Sequence, residues 1–104
     1  MIVRFWHGWT APADADAYQA FLAREIADGF LTDPAPGFRG IEVLRRVQGD
    51  EVAFVTVMRF ADWAAVRAFA GDDPERAVVP TAARELLARF DARATHYEVA
   101  EHHP

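Results

Sequence analysis

Residues 3 to 10, VRFWHGWT, read as a β-strand whose two faces are both large and mostly apolar. Alternation places Arg4 and Trp6 on one face and His7 and Trp9 on the other. A strand of this kind needs cover on both sides, so the rest of the chain must be read for what supplies each cover.

The first cover comes from the next segment. TAPADAD supplies Pro12, Asp14 and Asp16 as helix-start residues, and Tyr18, Phe21, Leu22 and Ile26 then recur at spacings of three and four. TDPAPGF breaks regular structure through Pro34, Pro36 and Gly37. GIEVLRRV, residues 40 to 47, alternates Ile41, Val43 and Val47 against Glu42 and Arg46, the pattern of a half-exposed strand. QGDE is a hairpin turn, and VAFVTVMRF, residues 52 to 60, is a central strand apolar on both faces except for Thr56 and Arg59.

ADWAAVRAFAG starts a second helix with Trp63, Val66 and Phe69 on one stripe, a cap at Asp62 or its neighbour, and a stop at Gly71. Helical periodicity resumes in DDPERAVVPTAARELLARF through Val79, Ala83, Leu86, Leu87 and Phe90, with a kink or restart at Pro80. THYEVA, residues 95 to 100, is a short last strand before the polar tail EHHP. The resulting order, β-α-β-β-α-β, predicts an α+β, ferredoxin-like domain with a four-stranded antiparallel sheet in the spatial order 4-1-3-2. Two helices cover only one face of that sheet. A second copy of the chain is the simplest cover for the other, so a homodimer through the sheet faces is expected.

Composition bounds the function. With 104 residues and 52% hydrophobic content the chain makes one domain with a real core. A net charge of −5 leaves no basic field for nucleic acid or for an acidic membrane surface. No apolar run reaches the roughly 18 residues of a membrane span, and Met1 leads into a strand pattern instead of a secretion signal, so the expected location is the cytoplasm. Cys, Ser, Lys and Asn are all absent. Thiolate metal sites, cysteine and serine nucleophiles, Schiff-base lysines and the P-loop go with them. No HExxH and no His-carboxylate cluster at helical spacing occurs, so no metal is expected.

The strand VRFWHGWT, the segment PGFRGIEVLRR, the run EVAFVTVMRFADWAAVRAFAGDDPERAV and the ending THYEV together resemble the antibiotic biosynthesis monooxygenase domain family over nearly the whole chain. The resemblance implies a dimeric α+β barrel, two sheets packed face to face with helices outside. It also implies small-molecule chemistry: oxidation of aromatic polyketides or hydroquinones by O2 without metal or flavin, haem degradation, or other roles. Haem-degrading members use an Asn on the first strand with a Trp and a His on the second helix. Here Phe69 falls at the Trp position and Val79 near the His, and no Asn exists, which argues against haem degradation. The anthrone-type oxygenases also rely partly on an Asn.

Oxygenation without a cofactor requires a general base, donors for the oxyanion and an aromatic pocket. His7 is the candidate base, set among aromatics on the first strand; the favoured alternative is a packed histidine bonded to a carbonyl or water. His96 opens the last strand, which should lie beside the first. Register decides whether His96 or Tyr97 stands opposite His7. Arg4 and Arg59 are expected near one rim, either holding a substrate phenolate or pairing with carboxylates. Trp6, Trp63 and Phe69 would line a cleft between helices and sheet, or fill it as core. GDDPER reads as a solvated break, with a hinged lid at a pocket mouth as the alternative. His102 and His103 read as solvated. Three functions stay open: a cofactor-independent monooxygenase on a small aromatic or polyketide-like molecule, a non-catalytic ligand-binding or auxiliary protein, and an isomerase or cyclase on the same fold.

Overall fold

The computed structural model describes residues 1–104. The elements are β1 (Ile2–Thr10), α1 (Ala15–Glu25), β2 (Phe38–Gln48), β3 (Glu51–Phe60), α2 (Trp63–Ala70), α3 (Thr81–Leu86), β4 (Arg89–Phe90) and β5 (Thr95–Glu98). All pairings are antiparallel, and the sheet runs β2-β3-β1, with β4 and β5 sharing the far side of β1. The architecture is the expected α+β, ferredoxin-like one, with β1 and β3 central.

Pairing of Arg4 with Met58 and of Trp6 with Thr56 puts the even-numbered residues of β1 and β3 on one face, under the helices. That face carries the core. Tyr18 and Phe21 from α1 pack on Val52 and Phe54, and Ala65 and Val66 from α2 pack on Ile2, Met58 and Phe60. Tyr18 meets Phe54 edge to face, with ring centroids 4.9 Å apart. Val3, Phe5, His7 and Trp9 of β1 share the opposite face with Val55, Val57 and Arg59 of β3, and no helix covers it.

Local signals explain the helix ends. The Asp62 carboxylate accepts the Ala65 backbone N–H at 2.9 Å and caps α2, which stops at Gly71 with φ +92°. Asp14 occupies the N-cap of α1 without a side-chain bond, and Arg45 of β2 binds Asp16 and Gln19 on the same helix. A wider π-type turn over Ile26–Phe30 extends α1.

The second half departs from the sequence reading in three places. The helical periodicity expected through Phe90 ends at Leu86: Leu87 turns extended, and Arg89–Phe90 form β4 against Gly8 and Trp9. Spacing alone does not register that the sheet offers an unpaired stretch of β1 at that point. Residues 72–80, expected to be helical from DDPERAVV onward, form no helix; α3 begins only after Pro80, the anticipated restart. The last strand ends at Glu98, not at residue 100, once it has paired along β1 as far as Ile2. In the first half, Val47, expected inside, is 75% exposed near the end of the edge strand β2, beside the hairpin turn.

Candidate functional site

A cavity of about 230 Å³ lies between the helices and the sheet. Its floor is Trp6, Ile41, Thr56 and Met58 from the three long strands. Tyr18, Phe21, Leu22 and Glu25 from α1, followed by Ile26 and Phe30, form one wall; Phe69 closes one end, and Val78, Val79, Pro80 and Ala83 form the other wall. Of these 15 lining residues 12 are hydrophobic. Glu25, Thr56 and Pro80 are the other three, and Tyr18, one of the 12, adds its hydroxyl to the Glu25 carboxylate and the Thr56 hydroxyl as the polar groups.

The walls are held by specific contacts. The indole N–H of Trp6 donates to the Asp91 carbonyl at 2.7 Å, which fixes the ring as floor. Phe69 sits among Phe30 and Phe60 with centroids 5.7 and 5.8 Å away. Burial pushes the Tyr18 hydroxyl up to about 12, so it stays a neutral donor at physiological pH.

Beside the cavity lies a buried cation. Arg4 is 3% exposed; its guanidinium donates to the carbonyls of Pro74 at 2.6 Å and Arg76 at 2.7 Å, and stands 3.1 Å from His96 Nε2. Burial brings Arg4 down to about 10, which leaves it charged at neutral pH. Its Cζ lies 5.2 Å from the centroid of the Phe69 ring. The His96 ring packs on Trp63 at 5.4 Å, its Nδ1 is buried without a partner, and burial followed by the Arg4 charge lowers its pKa.

The structure thus gathers Arg4, His96, Trp6, Trp63 and Phe69 on the helix side of the sheet and separates them from His7, Arg59 and Tyr97. Neither anticipated register occurs. His96 stands opposite Arg4 and Tyr97 opposite Val3, because β5 pairs with the first half of β1. His7 faces the other way, with Nδ1 3.8 Å from the Asp91 carboxylate. Arg4 and Arg59 do not share a rim: Arg59 is on the open face, bonded to Glu42 at 2.5 Å, whereas Arg4 takes backbone carbonyls in place of a carboxylate. Tyr97 meets Phe5 edge to face and is 59% exposed.

No family model and no curated protein matches the chain. Solved structures do. A Bacillus cereus protein assigned to the antibiotic biosynthesis monooxygenases superposes with a TM-score of 0.69 at 13% identity, over 99% of this chain and 96% of that one. SnoaB of Streptomyces nogalater, a cofactor-independent oxygenase, gives 0.58 at 22% identity over 99% and 97%. The haem degrader MhuD of Mycobacterium tuberculosis, whose structure holds two haems in its active site, gives 0.60 at 20% identity over the full length of both chains, 100% and 100%.

The chain has the fold of the antibiotic biosynthesis monooxygenases.

Within that monooxygenase fold the residues present here do not fit a haem. No histidine lines the cavity, and His96, on the helix side, turns Nε2 to Arg4. No cluster of three or more His, Cys, Asp or Glu is placed to hold a metal ion, and no helix is long and apolar enough to cross a membrane.

Sequence reasoning missed the polar lining. Thr56 is the one hydroxyl of its strand in the sequence, whereas Tyr18 reads there as plain helix stripe; Glu25, outside the apolar stripe of α1, is exposed and reaches the cavity only at its mouth. The GDDPER segment has solvated side chains but an anchored backbone: Arg4 holds the carbonyls of Pro74 and Arg76, and Asp73 and Glu75 bind Arg93.

Proposed function

We propose that the protein takes a small, flat aromatic molecule into this cavity and oxidises it with O2, without metal or flavin, as a member of the antibiotic biosynthesis monooxygenase family. The apolar cavity with three polar residues is the observation that carries this reading. About 150 Å³ of apolar space holds benzene, so about 230 Å³ suits one or two rings and lies below the usual range for larger ligands. For a naphthol the reaction balances as naphthol plus O2 giving naphthoquinone plus water. The ring carbon opposite the hydroxyl loses its hydrogen and gains one oxygen atom, the hydroxyl becomes the second carbonyl, and the other oxygen atom leaves as water. Thr56 and the neutral Tyr18 hydroxyl are the donors for the developing oxyanion, and Glu25 is the proton acceptor at the mouth. The similarity to SnoaB supports the cofactor-free chemistry.

The second reading, ligand retention without turnover, is favoured by one observation: no imidazole lines the cavity. Incubation with 1-naphthol under an oxygen electrode separates the two. Uptake of one O2 per quinone formed, abolished in Glu25→Gln, supports oxygenation; calorimetric binding with no O2 uptake supports retention.

We further infer that two copies pair through the open sheet face. Leu44 is 49% exposed and Tyr97 59% exposed there beside Phe5 and Val55, an apolar surface of the kind that partners cover. A monomeric mass by light scattering at micromolar concentration would sink this.

A further inference from the structure

We propose that Arg4 makes the cavity selective for acidic phenols, which it holds as phenolates. The inference rests on reading the cavity as a binding site and goes on to assign the residue that sets its preference. Arg4 is 97% buried, yet none of the ion pairs in the molecule includes it. Two carbonyl dipoles and an imidazole are its partners. Because Nε2 of His96 faces a guanidinium N–H, it is the acceptor and the ring proton sits on Nδ1, so this ring is neutral and brings no opposite charge. A whole positive charge is therefore left in a low-dielectric layer.

Arg4 does not itself line the cavity, but its immediate neighbours do. Trp6 follows Arg4 on the same face of β1, Met58 is its cross-strand partner, and Phe69 lies under its guanidinium; all three line the cavity. An apolar wall does not screen the field as water would, so a ligand that can become negative is favoured there over its neutral counterpart. Other charges and titratable groups work less strongly. Glu25 opposes Arg4 but is exposed at the mouth, Tyr18 is neutral, and Glu75, on the loop, acts on His96 from a solvated position. Burial alone would raise a phenol's pKa; Arg4 reverses the sign.

The test uses para-nitrophenol, whose phenolate absorbs in the visible, and its methyl ether para-nitroanisole, which cannot ionise. The wild-type protein is expected to bind the phenol about tenfold tighter than the ether, with the bound phenol titrating about one unit below its value in water. In Arg4→Met the preference is lost and the bound phenol titrates above its value in water; Arg4→Lys, which keeps the charge, retains the preference. If the wild-type protein binds both probes but prefers the ether, or raises the phenol's titration, the inference is overturned while the cavity reading stands. If neither probe binds, the cavity reading falls and takes this inference with it. The wild-type titration decides the sign even if Arg4→Met does not fold, and a lowering that survives in a folded Arg4→Met overturns the assignment to Arg4.

Discussion

Replacing Gly37 by Ala tests whether the turn before β2 is as tight as the structure has it. Gly37 has φ +82°, and a Cβ added there would lie 2.6 Å from the Cβ of Ala65 on α2. Left-handed backbone at a residue with a Cβ costs about 1–2 kcal/mol. Overlap in a packed layer costs about 1–3 kcal/mol more. The sum, about 2–5 kcal/mol, is a large part of the total stability of a domain this size and corresponds to a fall in Tm of about 10–30 °C. The turn also matters to the site. The Ala61 N–H donates to the Gly37 carbonyl at 2.8 Å, and the next residue, Phe38, stacks on Phe30 at 5.2 Å, beside the cavity wall. Thermal and urea unfolding followed by circular dichroism measure the effect. The double variant Gly37→Ala with Ala65→Gly separates its parts, because it removes the overlap and leaves the backbone strain. Ala65→Gly alone costs about 1 kcal/mol of helix propensity, so a coupling of about 1–3 kcal/mol is expected between the two sites. A Gly37→Ala variant within about 5 °C of wild type, or a cycle without coupling, would refute the reasoning.

His96 links stability to pH. Its folded pKa lies below the ordinary 6.5, so the unfolded chain binds more protons in that window: the contribution is whole above 6.5 and is lost as pH falls through the folded value. The urea midpoint should therefore drop between pH 7.5 and 5.5 in wild type and drop less in His96→Gln; equal slopes would exonerate His96. If copies pair through the open face as proposed, Leu44→Glu should leave the fold intact and lower the mass read by light scattering from dimer to monomer; a dimeric mass retained in the variant would move the interface elsewhere. Thr56→Val keeps the shape of the cavity floor and removes its hydroxyl, so binding of 1-naphthol should weaken by roughly 2- to 12-fold while naphthalene is unaffected. Equal losses for both ligands would mean that the cavity changed shape.

Much of the sheet was legible because its signals are local and repetitive. Residues 52 to 60 and the first strand, both apolar on two faces, identify the central pair, and Asp62 and Gly71 mark both ends of α2. The second half was harder because its elements are short. Leu87 and Phe90 continue a helical spacing, but Gly8 and Trp9 have free backbone positions and Phe90 is drawn to them, its ring 6.0 Å from that of Trp6. The site suffers from the same cause. Whether His96 meets His7 or Arg4 is a matter of register by a few residues, and no residue type in THYE specifies it. Arg4 could be picked out as a cation in an apolar strand, yet the carbonyls it binds belong to residues 70 and 72 positions away, which alternation does not reveal.

The division of the outer strand into β4 and β5 has a consequence for how the molecule behaves in a crowded solution. Two residues and four residues, interrupted by a tight excursion in which the Asp91 N–H returns to the His7 carbonyl at 3.0 Å, offer a foreign strand almost no template. The opposite margin is long, eleven residues of β2, but it carries Arg39, Glu42, Arg45 and Arg46 along its length. One border is too broken to recruit a stranger and the other too charged, so runaway strand-to-strand growth is blocked at both sides of the sheet without a disulfide or a barrel closed within one chain.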